Sequence, residues 1–489
     1  MIEKVYFGEG KNIEFKREIP QKHDKFLKDI IAFSNCTGGK VILGIEDRTN
    51  KVYGIGEANP FRLADDISNM ISDACTPQIN PDITIQTLDG KTVLVIDIAP
   101  GKFRPYYLKS AGKEESAYIR INGTSRAADM RMLQELELEG QRIYYDTMQE
   151  IGMEYSEETA KKLCESMKEV ALSSCKTEEE KAGVPDMTIA KLEDMGLLCR
   201  MGRDYVPTHA FNLMTENRMK HAKIQCALFK GTSRDEFIDR KEFRGPIYEQ
   251  IEEAYQFVLR HINMSAQING IVRRDVYELP VRAVREAIIN AVTHRSYMDD
   301  SCVQVSVYDD RMEVLSPGML YGGLDLEAAL EGKSKCRNAA VSEAFHYMKL
   351  IEAWGTGLGR IRNSCREYGL KEPVIDEFGD GFRVVFFRKE MEENQDEIQK
   401  SGNPEIRKSG NPEIRKSGNP ALPDTELFII KYIRENDQCT TAEIAGLLDI
   451  TGRRARGILG SLVKKGVLRK VGNARNTIYQ AGGNFPHGE

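Results

Sequence analysis

The chain has 489 residues, more than a single hydrophobic core usually serves, so three or four domains are expected. Its 41% hydrophobic and 29% charged residues are those of an ordinary globular protein, and no apolar run approaches the roughly 20 residues that cross a bilayer, which argues against a membrane protein. The net charge of -6 averages over unlike parts: from Lys400 to Gln480 there are 15 Lys and Arg against 8 Asp and Glu, a basic tail on an acidic body.

The opening MIEKVYFGEGKNIEFKRE is charged from the start and lacks the apolar core of a secretory signal, so a cytoplasmic location is expected. The 10 cysteines are scattered singly with no C-x-x-C pair, which points to reduced thiols and to neither a zinc site nor a disulfide framework. The N-terminal third then alternates elements. A helical DKFLKDIIAFSN leads through Gly38-Gly39 into the β-branched KVILGIED, and a second helix follows around FRLADDISNMISDA. Strands are expected at DITIQTL, TVLVIDI and SAYIRI, punctuated by Asp89-Gly90 and Asn122-Gly123. Residues 1–130 thus read as one α+β domain.

The pair formed by Glu14-Phe15-Lys16 and AFSNCTGG…VILGIED, separated by one helix, resembles the Schlafen-type AlbA_2 domain, an Alba-like nucleic-acid-binding module. Glycines 38 and 39 permit left-handed backbone between helix and strand, and Gly44 permits close approach of a partner. In members of that family that cleave RNA, three carboxylates form the active site. The matching positions here are Glu9, Glu14 and Asp47, which could hold a divalent metal beside a phosphate. The plainer alternative pairs Glu14 with Lys16 on a strand and puts Asp47 in a turn.

Residues 131–270 carry helical patterns (SEETAKKLCESMKEVAL and PIYEQIEEAYQFVLRHI) around a strand-like IQCALFKG, and are expected to form a connecting α/β domain. A further unit is expected over 271–390. From Arg285 the chain reads REAIINAVTHRSY, and helical spacing puts Glu286, Asn290 and Thr293 on one face and Val284, Ile288 and Ala291 on the other. VQVSVY and RMEVLS are strand-like and lead to Ser316-Pro317-Gly318. Past a lid-like stretch with KSKCRN comes Trp354-Gly355-Thr356-Gly357-Leu358-Gly359.

In that order these pieces resemble the α/β sandwich of the GHKL-like ATPases, shared by gyrase, heat-shock chaperone 90, histidine kinases and mismatch-repair proteins, in the variant found in Schlafen-like bacterial regulators. The resemblance implies ATP and Mg²⁺ as cofactors, with Glu286 orienting or activating water and Asn290 helping to hold Mg²⁺. Gly318 and the loop Gly355, Thr356, Gly357, Leu358, Gly359 would contact the nucleotide, the loop lying against its phosphates. The sequence departs from that family where its adenine-reading aspartate sits in D-x-G-x-G, for Val314-Leu315-Ser316-Pro317-Gly318 stands there instead. Relatives are sometimes labelled helicases, but no helicase motor is recognisable.

The eight-residue repeat in KSGNPEIRKSGNPEIRKSGNP, inside the linker assigned to 391–423, has no apolar face and reads as an extended tether. Residues 424–482 then show ELFIIKYIREN, a short helix AEIAGLLDI capped by Thr440 or Thr441, the basic helix TGRRARGILGSLVKKG and a hairpin-like VLRKVGNARNTIYQ. This resembles a winged helix-turn-helix. The resemblance implies DNA contact by Arg453, Arg454 and Arg456 at the start of the third helix and by Lys470 and Arg475 on the wing, with Ile458, Leu459 and Leu462 facing the core. The expected whole is an α+β multi-domain regulator of transcription, a homodimer that binds a nucleotide and contacts DNA, with RNA as the alternative partner. Its rival is a Schlafen-like, metal-dependent ribonuclease or defence effector in which the ATPase-like domain is the sensor.

Overall fold

The computed structural model describes residues 10–388 apart from 48, 122, 270, 271, 353 and 354, and in the C-terminal part residues 429, 432–433, 438–447, 452–464, 467–471 and 478–481. Glu9, Arg475 and the expected repeat linker lie outside the described residues. The chain divides into two compact units, Met1–Glu392 and Glu393–Glu489.

The first unit opens with a four-stranded sheet ordered Ile13–Lys16, Gly39–Leu43, Lys91–Ile98, Asp82–Leu88. Its first pair is parallel and the others antiparallel. A parallel pair requires a crossover, and the helix His23–Asn35 supplies it. That helix buries Phe26, Ile30, Ile31 and Phe33 with Ile67 and Ile71 of the helix Pro60–Ala74, against Val41, Leu43, Leu94 and Ile96. The alternation of the strands sends Phe15, Ile42, Val93 and Val95 to a second cluster on the opposite face. Gly38 has the expected left-handed backbone, with φ +81. Gly44 makes a close approach, but to its own chain: a Cβ there would lie 3.0 Å from Cα of Gly54.

The second sheet has six strands, ordered Phe237–Phe243, Ile224–Phe229, Val303–Val307, Arg311–Pro317, Gly381–Phe387, Val374–Phe378. Ile224–Phe229 and Val303–Val307 run parallel, and the rest are antiparallel. Two of these strands and the helix Ile247–His261 precede residue 271, so the boundary expected at 270 cuts through this layer. The segment before them does not form a core of its own either. Leu163 and Met167 of the helix Glu157–Ser173, Leu192 of Ile189–Asp194 and Phe211 of His209–Met214 share one continuous cluster with Val305, Val314 and Phe386 of the sheet. The helices Ile247–His261, Val281–His294 and Gly357–Glu367 also bury into that cluster.

The helix Met130–Gln141 joins the two sheets' modules. Glu139 takes Arg104, whose guanidinium is buried, at 2.6 Å, and Glu135 accepts from the hydroxyl of Ser296. Arg131 pairs with Asp299 and, at 3.3 Å, with Asp380. Lys11 pairs with Glu377.

In the C-terminal unit, Gln438–Thr440, Ile478–Ala481 and Leu468–Val471 form a sheet in that order beside the helices Thr441–Leu447 and Gly452–Lys464. Thr440 Oγ1 accepts from Glu443 N at 3.2 Å and Glu443 Oε2 accepts from Thr440 N at 2.8 Å, a reciprocal cap. Ile429, Ile433, Ile444, Leu459, Leu462 and Tyr479 form its core. Among the described residues, no helix is long and apolar enough to cross a membrane.

Buried Asp146 holds the start of the helix Ala339–Tyr347 from 195 positions away, accepting from Val341 N at 3.0 Å. Burial pushes its carboxyl up to about 6, against the opposing pull of the backbone N–H groups of Val341, Ala340 and Ala339. The folded state therefore holds this proton more tightly than the unfolded state, whose carboxyl keeps its ordinary value. The resulting stabilisation is complete below about pH 4 and is lost as pH rises through 6. Urea midpoints of the wild type should accordingly decline relative to those of Asp146→Asn between pH 4 and 6.5; a difference that does not vary with pH would contradict this.

Candidate functional site

The helix Val281–His294 turns Val284, Ile288 and Ala291 inward as its spacing predicts. Glu286 and Asn290 are half-buried on one side, Asn290 Nδ2 donating to Glu286 Oε1 at 3.5 Å. Thr293, expected on the same polar face, is instead buried, its hydroxyl donating to Ile289 O at 2.8 Å. Two further contacts fix the end of this helix. Asn338 Nδ2 donates to Thr293 O at 2.9 Å and to Arg295 O at 2.8 Å, while Arg337 bridges His294 O at 3.0 Å and Met319 O at 2.9 Å. Both residues belong to the KSKCRN stretch, so the sequence read as a lid is anchored at its far end.

Beside Glu286 and Asn290 lies a cavity of about 490 Å³, within the range of small-molecule sites. Glu286, Asn290, Gly318, Gly355, Thr356, Gly357 and Leu358 all line it, so residues 72 positions apart in sequence meet there. Gly359 does not line it. The glycine loop is shaped by two separate constraints. Gly355 has φ +66, and a Cβ on it would overlap the carbonyl oxygen of Gly332. Gly357 begins the helix Gly357–Glu367, and a Cβ there would overlap Glu286 Oε1 and come within 3.0 Å of Asn290 Nδ2. Only a residue without a side chain lets this helix start against both polar groups. Thr356 caps it without a side-chain hydrogen bond, leaving the first N–H groups free of that partner.

Burial raises the Glu286 carboxyl above its ordinary range, opposed by the charge of Arg360 and the hydrogen bond from Asn290. Burial, with Arg337 nearby, pushes the His294 imidazole down to about 4, so at neutral pH it carries no charge. Ser316 lines the cavity. Its hydroxyl donates to Ala291 O at 2.8 Å, so the strand Arg311–Pro317 and the helix Val281–His294 are joined at the cavity floor. Lys333, Ser334, Lys335 and Arg360 add to the polar lining, as do the carboxylates Glu343 and Glu352. Arg360 was not among the expected site residues, although its place three residues after Gly357 puts both on one helix face. Ser316 was legible through alternation, since it shares a strand face with buried Met312 and Val314.

In the N-terminal module the two oxygens of Glu14 are engaged. Oε1 pairs with Lys16 and Oε2 accepts from Arg120 Nη1 at 2.9 Å. Arg120, buried over the Phe33 ring, also donates to Ser125 Oγ at 3.2 Å, to Lys11 O at 3.1 Å and to Gly10 O at 3.0 Å. Ser125 Oγ in turn donates to Asp29 Oδ1 at 2.7 Å, and Asp29 Oδ2 lies 3.3 Å from Lys16 Nζ. Two carboxylates and two cations thus neutralise each other. Asp47 is exposed in a turn, and among the described residues no group of three or more His, Cys, Asp or Glu is arranged to hold a metal. Of the basic residues expected on the C-terminal helix, Arg453, Arg454 and Arg456 all lie on Gly452–Lys464, and Arg456 is exposed. Lys470 is exposed on the strand Leu468–Val471.

Residues 9–129 match the family model for Schlafen, AlbA_2, and residues 300–386 match that for putative ATP-dependent DNA helicase recG C-terminal, an ATPase-like domain family. The chain joins an AlbA_2 domain to an ATPase-like domain. The second match begins after the helix that carries Glu286 and Asn290, and includes Ser316 and the glycine loop. Among solved structures, the DIP2311 protein from Corynebacterium diphtheriae is 18% identical, with 98% of this chain and 95% of that chain covered at a TM-score of 0.41. The N-terminal domain of a putative ATP-dependent DNA helicase RecG-related protein from Nitrosomonas europaea is 22% identical, with 26% of this chain and 89% of that chain covered at a TM-score of 0.20.

The two loop glycines should respond differently to alanine. Gly355→Ala meets left-handed backbone and a carbonyl oxygen, and should destabilise the ATPase-like domain by about 1–3 kcal/mol. Gly357→Ala meets the movable tip of a glutamate and should leave the melting temperature nearly unchanged while displacing Glu286. Equal losses of melting temperature in the two variants would show that the loop is under one constraint, not two.

Proposed function

We propose that the protein binds ATP with Mg²⁺ in the cavity of its ATPase-like domain and is a regulator of transcription that contacts DNA through its AlbA_2 domain and its C-terminal unit. The observation that carries the first half is the convergence of Glu286, Asn290 and the glycine loop on one cavity. The donor set fits the ligand. The loop brings backbone N–H groups and glycines that admit close approach, Lys333 and Arg360 bring positive charge, and Asn290 brings an uncharged oxygen beside the Glu286 carboxylate. Asn290 is the residue that would help to hold Mg²⁺, and the bound nucleotide would supply the phosphoanhydride. Glu286 is suited to accept a proton, because burial raises its carboxyl towards the working range of a general base. Turnover would then depend on Glu286 and binding on Asn290. In isothermal titration with ATP and Mg²⁺, Asn290→Ala should weaken Mg²⁺-dependent binding, whereas Glu286→Gln should bind normally and lose any phosphate release. No heat of binding in the wild type would end this reading.

The second half rests on the C-terminal unit. A short capped helix, a basic helix and two strands follow one another as in a winged helix-turn-helix, with Leu459 and Leu462 turned to the core and Arg456 and Lys470 exposed. A homodimer would bring two such helices to two half-sites. Glu14 is held between Lys16 and Arg120, which competes with metal binding and favours this reading over a ribonuclease. Selected genomic DNA fragments should lose most of their affinity when residues 421–489 are deleted. Arg456→Ala should weaken binding, either equally on all DNA with a salt slope shallower by about 0.9, as for a phosphate contact, or by about 1–3 kcal/mol on the preferred site alone. Unchanged affinity after the deletion would overturn the assignment of this unit.

A further inference from the structure

Arg360 lines the cavity three residues beyond Gly357, on the helix face that meets Glu286. Its guanidinium stands between two carboxylates: Nη1 is 2.7 Å from Glu352 Oε2, and Nη2 is 3.6 Å from Glu286 Oε1. Nε is buried with no hydrogen-bond partner. A guanidinium offers five N–H donors in a rigid fork, and an orphaned donor at a cavity wall is a cost that an anion placed there would remove. Lys335, a second cation of the lining, donates to Gly322 O, and among the described residues Arg360 is the lining cation that pairs with Glu286.

We propose that Arg360 reads the terminal phosphate of the nucleotide, releasing Glu352 to do so, and thereby makes the site prefer a nucleoside triphosphate to a diphosphate. This rests on the nucleotide reading of the cavity and adds to it the group that is discriminated. The exchange is favourable for three reasons. Glu352 is 63% exposed and the arginine side chain 42%, so their pair is a screened surface contact of small worth. A terminal phosphate carries more charge than one carboxylate and accepts two parallel N–H bonds from the fork. The Glu286 carboxyl marks where the reacting phosphate must come, and Arg360 is already beside it.

The test is isothermal titration of the full-length protein with ATP and with ADP, each with Mg²⁺, for wild type, Arg360→Ala, Arg360→Lys and Glu352→Gln. Wild type should bind ATP more tightly than ADP. Arg360→Ala should weaken ATP by about 10–100-fold, the range of a hydrogen bond to a charged group, and leave ADP within about twofold. Arg360→Lys should keep part of the preference, and Glu352→Gln should keep all of it with ATP bound more tightly. A structural role for Arg360 would weaken both nucleotides together, and that result overturns the proposal. So does a wild type that binds ATP and ADP equally, although the nucleotide reading then stands. Binding of neither nucleotide overturns both.

Discussion

Two helices, Val281–His294 and Gly357–Glu367, approach so closely that a side chain at Gly357 would displace Glu286 and Asn290, and the chemistry of the cavity depends on that approach. It sets Glu286 and Asn290 against the first turn of a helix whose opening N–H groups Thr356 does not cap, so a carboxylate, an amide and a partly positive helix end meet at one place. It also brings Arg360 beside Glu286, so that the raised carboxyl and the cation that restrains it form one unit. The surrounding contacts serve to hold those helices. Ser316 ties the first to the sheet, and Asn338 and Arg337 fix its end to the lid and to Met319.

Much of this was legible because it is periodic. DITIQTL is a strand over its full length, since alternation with β-branched residues and a following Asp89-Gly90 turn, both residues at positive φ, admit few other conformations. Glu286 and Asn290 were legible as an i, i+4 pair, and the glycine loop as a place where backbone must come close. Pairing at long range was not legible. The parallel partnership of Ile224–Phe229 with Val303–Val307 spans a further strand of the sheet, two helices and a hairpin, Met264–Asn269 with Val272–Tyr277, so no local pattern places the earlier strand in the ATPase-like domain. Thr293 shared a helical face with Glu286 by spacing, but the lid's Asn338 covers that end of the helix and buries it. Lys16 was a legible partner for Glu14, but Arg120, its second partner, lies 106 residues away and was not.

Among the described residues, specific polar pairs around one helix join the AlbA_2 and ATPase-like domains. Met319, Leu320 and Tyr321 line the cavity beside Glu286 and also the small crevice where Arg104, Arg120 and Lys11 approach the ATPase-like domain. Leu320 N donates to Glu377 at 2.9 Å, Glu377 pairs with Lys11, and the Lys11 carbonyl accepts from Arg120, which holds Glu14. A continuous run of polar contacts therefore joins the wall of the cavity to the buried ion network of the AlbA_2 domain. Such a run is a physical connection; a coupling would in addition require that the two sites bias one element between two arrangements.

The cavity beside the glycine loop is proposed as a nucleotide site. Photolabelling of the full-length protein with 8-azido-ATP, followed by mapping of the labelled peptides, tests it most directly. Label is expected within residues 286–294, 314–321 or 333–361, removed by excess ATP. Label that ATP does not displace, or displaceable label confined to other parts of the chain, would contradict it.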